Sequence, residues 1–305
     1  VFDVAVIGSV NLDLVATTPR LPEPGETVSG TGYAEHAGGK GLNQSVAAAR
    51  SGASVALIAA VGDDDAGRRL RSVAEAEGID VSAVGVVDAP TGRALITVDE
   101  RAENSIVVVP GANASVRADT LAGARIVIAQ LEIPIDAVIA AFRSARRSGG
   151  RTILNPAPAQ RLPDELLGIC DIVVPNEHEL ALIGGPDALF ARGAGAVITT
   201  MGAAGVSVKE IVDGVTTEWI QPAFQVTPID TTGAGDAFCG ALAARLAAGD
   251  GLRDAVRYAA AAGALATTTA GAVRSLPRRL DIEHLLDAAP TATDGHTGRS
   301  PDATV

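Results

Sequence analysis

Val1-Phe2-Asp3-Val4-Ala5-Val6-Ile7-Gly8-Ser9-Val10-Asn11-Leu12-Asp13 opens the chain. The unbroken apolar run Val4–Ile7, stopped by Gly8, reads as a strand buried on both faces, as in a parallel sheet covered by helices. Polar Asn11 and Asp13 follow, two positions apart, so in extended chain they face the same side. In an open α/β sheet, ligands bind at the carboxyl ends of the strands. A turn or capping role for the same two residues is equally open on local grounds.

Working outward, further strand-like runs are Val55–Val61, Ile126–Leu131, Thr152–Leu154, Ile172–Val174 and Ala196–Thr199. Helical patterns lie between them at Leu42–Ser51, Ala66–Glu77, Ile135–Ser148 and Glu177–Ile183. Two long helices follow, Ala234–Ala248 and Leu252–Thr268, broken by Gly249-Asp250-Gly251. The alternation predicts an α/β fold: a doubly wound, mostly parallel sheet flanked by helices. A second texture interrupts it. Leu12–Thr18, Thr27–His36, Ala94–Asp99 and Ser105–Val109 are short β-rich runs with partial polar alternation. They predict a small antiparallel sheet, a lid drawn from about residues 12–36 and 92–109. Such a sheet leaves an apolar face and open edges, so a homodimer through the lid is expected. One domain is expected over residues 1–289, followed by a polar, patternless tail over 290–305, expected to be disordered.

Composition excludes several classes. The chain has 305 residues, 47% hydrophobic and 20% charged, which rules out disorder throughout. A net charge of −12 and the lack of a basic stripe argue against nucleic acid and acidic membranes as partners. The least polar long stretch, Tyr258–Val273, falls short of a spanning helix. The opening has no basic run and no small-residue cleavage site, so no export signal is expected. Cys170 and Cys239 lack metal-ligand spacing and the four histidines form no zinc pattern, in keeping with a reduced, cytoplasmic setting.

Thr231-Thr232-Gly233-Ala234-Gly235-Asp236 leads directly into a helix. Glycines at a helix entry let several N–H groups converge where the helix dipole favours an anion. An ordinary N-cap with Asp236 at the positive end is the plainer reading of this segment alone. His36-Ala37-Gly38-Gly39-Lys40-Gly41-Leu42-Asn43-Gln44-Ser45 opens another helix, and its Gly38-Gly39 pair permits close approach of a ligand. Only Lys40 and Lys209 among the 24 basic residues are lysines. Lys40 sits between glycines, whereas Lys209 reads as an ordinary surface residue. Pro175-Asn176-Glu177-His178-Glu179 fits a capping box with Asn176 as N-cap. Gly62-Asp63-Asp64-Asp65 reads as a turn plus cap rather than a metal cluster.

Taken in order, Gly-Ser-x-Asn-x-Asp at 8–13, Gly-Gly-Lys-Gly-x-Asn-Gln at 38–44, Pro-Asn-Glu-x-Glu at 175–179 and Asp-Thr-x-Gly-Ala-Gly-Asp-x-Phe at 230–238 resemble the ribokinase family. Gln130-Leu-Glu132 and Asn155-Pro-Ala-Pro158 add to a similarity running from about residue 3 to 288. The resemblance implies ATP-dependent phosphorylation of a sugar, in first place D-ribose at its 5-hydroxyl. By the same resemblance Asp236 is the catalytic base and Gly233, Ala234 and Gly235 the anion hole. Asn11, Asp13, Gly38, Gly39, Lys40, Asn43 and Glu132, with Asp236, are implied to hold the sugar. Asn176, Thr200, Gly202, Gly205 and Gly235 are implied on the ATP side, with Glu179 reaching Mg²⁺ through water. Asp230, Thr232, Thr269, Gly271 and Ser275 are implied to form a monovalent-cation loop, for K⁺.

Three departures touch the nucleotide side. Ala203 and Ala260 stand where many relatives have polar residues, and Gly184–Gly195 is short for the helix usual there. A deoxyribose, ketohexose or nucleoside kinase is the second reading, although 3% aromatic content disfavours base stacking. A silent sugar-binding protein is a third. A nicotinamide-dependent dehydrogenase lacks its glycine fingerprint after the first strand.

Overall fold

A computed structural model describes residues 1–101, 103–118 and 123–289; the expected tail therefore lies outside the described residues. The strands in chain order are β1 Phe2–Ile7, β2 Asn11–Thr17, β3 Gly32–Gly38, β4 Val55–Gly62, β5 Val84–Val87, β6 Gly92–Val98 and β7 Asn104–Val109. They continue with β8 Ala124–Ala129, β9 Arg151–Leu154, β10 Ile172–Val173, β11 Ala196–Thr200, β12 Val206–Val212 and β13 Val215–Gln221. The helices are α1 Lys40–Arg50, α2 Asp65–Ala76, α3 Ile135–Arg147, α4 Asp164–Leu167 and α5 Glu177–Leu182. They end with α6 Gly185–Ala191, α7 Ala234–Ala248, α8 Leu252–Ala266, α9 Ala272–Ser275 and α10 Arg279–Ala288.

Nine strands form the main sheet in the order β13-β12-β11-β10-β9-β8-β1-β4-β5. From β5 to β11 the pairing is parallel; β12 and β13 add an antiparallel hairpin at one edge. Alternate residues of β1 enter opposite cores. Val4 and Val6 belong to the core that takes in α1, α7 and α8, while Ala5 and Ile7 belong to the core that takes in α3. Burial on both faces is the reason β1 and β4 read as continuous apolar runs. Helix α7 is apolar on nearly every side because α1 and α8 enclose it, and buried residues run from Asp236 to Ala247 along it.

The small sheet has the order β3-β2-β6-β7. It is mixed, which corrects the antiparallel expectation: β2 pairs with β6 in parallel, and only the outer pairs are antiparallel. Both central strands leave the carboxyl edge of the main sheet in the same direction, β2 after β1 and β6 after β5, while β3 and β7 return. Strand β3 also begins at Gly32, so Thr27–Thr31 of the expected run lies outside it. The β12–β13 hairpin, β5 and α10 were not expected from sequence. Among the described residues no helix is long and apolar enough to cross a membrane.

Candidate active site

From β1 the chain proceeds to β4 and β5 on one side of the sheet, then to β8 and β9 on the other, so the order reverses between β1 and β8. Reversal leaves a crevice beyond the carboxyl ends of those two strands, the place where open α/β sheets take ligands. Gly8 and Ser9 follow β1, Gln130 to Glu132 follow β8, and Asn155 follows β9. Helix α1 comes down on this crevice because two glycines meet beneath it. A Cβ on Gly8 would stand 2.6 Å from the Gly41 Cα and 2.1 Å from the Gln130 Oε1. Helix α7 in turn lies against α1 through Gly240, where a Cβ would stand 2.5 Å from the Gln44 carbonyl oxygen.

That contact brings Asp236, in the first turn of α7, to the side chains of α1. The Asn43 Nδ2 donates to the Asp236 Oδ2 and the Gln44 Nε2 to its Oδ1, both at 2.9 Å. The same Gln44 nitrogen donates to the Asn155 Oδ1 at 3.1 Å, and the Gln44 Oε1 accepts from the Gln130 Nε2 at 2.6 Å. Gly233 caps α7 with φ 79°. A Cβ on Gly235 would meet nothing within 4 Å, so this turn faces open space. The Ala234 N–H is bonded to the Thr231 carbonyl at 3.2 Å.

A second group of carboxylates stands across the crevice. Burial, followed by the charges of Glu132 and Asp236, pushes the Asp13 carboxyl up to about 7. Its oxygens lie over Gly38, where a Cβ would be 2.0 Å from the Oδ2. Glu132 accepts from the Ser9 hydroxyl and, at 3.3 Å, from the Lys40 N–H. Burial works against the charge on the Lys40 ammonium, but Asp236, Glu132 and Glu179 outweigh it and raise its pKa. Asn11 is buried, its Oδ1 accepting from the Asn113 Nδ2 at 2.7 Å.

Two cavities adjoin. One of about 220 Å³ is lined by Lys40, Asn155, Asn176, Glu179, Asp236 and Cys239, among others. The other, of about 450 Å³, is walled by Ala203, Phe224, Val226, Phe238, Ala260 and Ala264, with Gly202 and Gly205 at its rim of the sheet. Thr200, Thr231 and Gly235 belong to both. The arrangement joins a polar chamber, holding carboxylates and one ammonium, to a larger apolar chamber through a glycine-bearing helix start. A phosphorylated molecule with an apolar ring fits the pair.

The family model for pfkB carbohydrate kinases matches residues 1–279. The chain belongs to the pfkB family of carbohydrate kinases. The ribokinase of Haemophilus influenzae is 37% identical over 93% of this chain and 98% of its own length. A bifunctional ribokinase/ribose-5-phosphate isomerase A of Fructilactobacillus sanfranciscensis is 38% identical over 93% of this chain, which spans 56% of that longer protein. The structure of Arabidopsis thaliana ribokinase complexed with ribose and ATP superimposes with a TM-score of 0.84, at 29% identity, covering 94% of this chain and 99% of that one.

In this pfkB kinase the expected sugar-side residues Asn11, Asp13, Gly38, Gly39, Lys40, Asn43 and Glu132 surround one end of the crevice. Asn176, Thr200, Gly202, Gly205 and Gly235 line the two cavities. Asn176 and Glu179 form the expected capping box, with bonds of 2.9 and 2.8 Å. Asp64 caps α2 through the Gly67 N–H at 2.7 Å, as expected of a turn. Lys209 pairs with Glu218 on the edge hairpin at 3.4 Å. The Asp230 carboxylate accepts from the Thr232 and Gly271 N–H groups at 2.9 and 2.8 Å, and Ser275 reaches the Thr232 carbonyl at 3.5 Å. Thr269 is exposed on the turn before Gly271. Burial opposes the Asp230 charge, yet those bonds hold its carboxyl below the usual range.

Sequence reasoning missed Gln44, Asn113, Asn155 and Gln130 as parts of the site. Gln44 directly follows Asn43 in a helix's first turn, a signal that was available. Asn113, on the 3-10 turn Gly111–Ser115, gave none. Cys239 lines the polar cavity, but burial and the Asp236 charge raise its thiol pKa, so it is an inert wall and no nucleophile.

Proposed function

We propose that this pfkB kinase transfers the γ-phosphoryl group of ATP to the 5-hydroxyl of D-ribose, giving D-ribose 5-phosphate. The observation that carries the reading is the place of Asp236: in the first turn of α7, between the carboxylate-lined crevice and the paired cavities. Phosphoryl transfer asks mainly for positioning and charge stabilisation. Asp236 takes the proton of the attacking hydroxyl, and the N–H groups of Gly233 and Gly235 donate to the transferred phosphoryl oxygens, the Ala234 N–H being taken by the Thr231 carbonyl. Asn11, Asp13, Asn43 and Glu132 hold the remaining hydroxyls. Supporting this, the Asn43 Oδ1 is buried without a donor among the described residues, a lack that a sugar hydroxyl relieves. The apolar cavity takes the base of the nucleotide.

Two ions belong to the reading. Among the described residues no cluster of His, Cys, Asp or Glu fits a metal by itself. Mg²⁺ would be held by the nucleotide phosphates, with Glu179 reaching it through water. One Glu179 oxygen is committed to the Asn176 N–H, which leaves the other for that contact. Bound there, the ion neutralises phosphate charge. K⁺ is assigned to the loop of Asp230, Thr232, Thr269, Gly271 and Ser275. The pinning of both chain segments by the Asp230 carboxylate fits a carbonyl-lined site. The ion would stiffen the loop that leads into the Gly233–Gly235 turn.

The partner is a second copy of the chain, docked through the small sheet, and the setting is cytoplasmic. Every residue of β7 is exposed, including Ile106, Val107, Val108 and Val109. Assaying Mg-ATP consumption against D-ribose, 2-deoxyribose, ketohexoses and nucleosides tests the reaction. Turnover confined to another sugar, or to none, overturns the ribose assignment.

A further inference from the structure

Gln44 is fully buried at the centre of a chain of amides whose direction can be worked out. It starts at the Val174 carbonyl, which can only accept. The Asn155 Nδ2 must therefore face it, at 3.0 Å. That leaves the Asn155 Oδ1 pointing at Gln44, which answers with its Nε2. The same nitrogen reaches the Asp236 Oδ1. The Gln44 Oε1 is thereby turned toward Gln130, whose Nε2 donates to it. Were the Gln44 amide reversed, its oxygen would confront two acceptors at once. The chain ends at the Gln130 Oε1, which is buried with no partner among the described residues. An unmet acceptor is costly. It is left at the far end of the chain, and the donor stays at Asp236.

We infer that Gln44 is a positioning residue for the Asp236 carboxylate, with Asn155 and Gln130 fixing the direction in which its amide points. The inference rests on the reading of Asp236 as the base. Asn43 holds one carboxylate oxygen and Gln44 the other, so the carboxylate plane is set before any sugar arrives. A base held in place accepts the hydroxyl proton without first being reoriented, and small misplacements of reacting groups are expensive in rate. A plainer account makes Gln44 a polar core residue that only ties α1 to the sheet. The two accounts differ in one respect: a positioning residue acts through Asp236 and has nothing to do once that carboxylate is gone.

The test is a double-mutant cycle on the full chain, using D-ribose and Mg-ATP with single-turnover rates. Gln44→Met is expected to lower kcat about 10- to 100-fold, the scale of a lost bond to a charged group, with both KM values within about threefold. Added to Asp236→Asn, it should cost about nothing further. Gln130→Met touches no part of Asp236, yet it should lower kcat in the same sense by a smaller factor and be silent in the same background. It carries the test should Gln44→Met not fold. Equal losses in both backgrounds, or an unchanged kcat in the wild-type background, overturn the inference. Near wild-type turnover by Asp236→Asn itself overturns the base reading instead, which keeps the two failures apart.

Discussion

Asn43 and Asp236 stand 193 positions apart in the chain, and 2.9 Å separates the amide nitrogen of one from the carboxylate of the other. One comes from the first turn of α1, the other from the first turn of α7. The pairing makes the proposed base part of the packing of two helices and not a side chain on a loop. Replacing Asp236 with Asn keeps the shape, removes the charge and sets one amide nitrogen against a donor. Turnover should fall about 10²- to 10⁴-fold. Sugar and nucleotide binding, read by calorimetry, should survive. Turnover within a few-fold of wild type would make Asp236 a helix-capping residue.

Asp13 gives a prediction with a definite sign. Its carboxyl titrates at about 7 in the folded chain against an ordinary 3.8. Between those values the folded form keeps a proton that the unfolded form has lost. Stability therefore declines as pH rises through that window, and the decline is complete above the folded value. Asp13→Asn removes it. The variant should melt above wild type at about pH 8, by an amount that shrinks to nothing toward about pH 4. Sugar hydroxyls donating to the carboxylate favour its charged form, so wild-type ribose affinity should rise with pH through the same window. Parallel melting curves for the two proteins at all pH values would contradict the assignment.

Gly240 sets the distance between α1 and α7. A methyl group there meets the Gln44 carbonyl, a backbone atom that cannot step aside. Gly240→Ala should cost about 1–3 kcal/mol, as overpacked cores do. It should also lower kcat by more than it changes either KM, since Asn43 and Gln44 would be drawn away from Asp236. Urea melts and steady-state rates on the one variant measure both effects.

The Asp230 loop predicts a faster enzyme in K⁺ than in a bulky organic cation at equal ionic strength. Asp230→Ala frees the Thr232 and Gly271 N–H groups, and the difference between the two salts should vanish. Equal wild-type rates in both salts would remove K⁺ from the reading.

For the small sheet, sedimentation at micromolar concentration should give twice the 30.6 kDa of one chain. Val107→Lys, on the exposed outer strand, should halve that mass. A monomeric wild type would mean that the β7 face stays open to water.

The main sheet was legible because strands buried on two faces leave unbroken apolar runs, as at Val4–Ile7 and Val55–Val61. The β12–β13 hairpin was not: its residues alternate between Val, Lys, Glu and Thr, and one side faces solvent. The parallel centre of the small sheet could not be read from local pattern either, because strand direction is decided by where β1 and β5 end. At the site, glycine and carboxylate positions stood out in sequence. Of the amides, Gln44, Gln130 and Asn155 lay in the family motifs without a role assigned to them, and Asn113 gave no signal. A neutral amide carries no charge signature, and the side-chain partners of these four lie 86 to 192 positions away.

The small sheet is joined to the body by four chain crossings, at Asn11, Gly38, Gly92 and Pro110. The ladders set the first three side by side, Asn11 opposite both Gly38 and Gly92, with Val109 beside Arg93 next to them. Four tethers in a row have the layout of a strip hinge: sliding or twisting of the panel would tear the ladder at its root, whereas bending along the line would not. Asn11 stands in the hinge line itself, bonded to Asn113 of the body. Whatever Asn11 grips therefore bears directly on the angle of the door, and the door's angle bears on what Asn11 can grip.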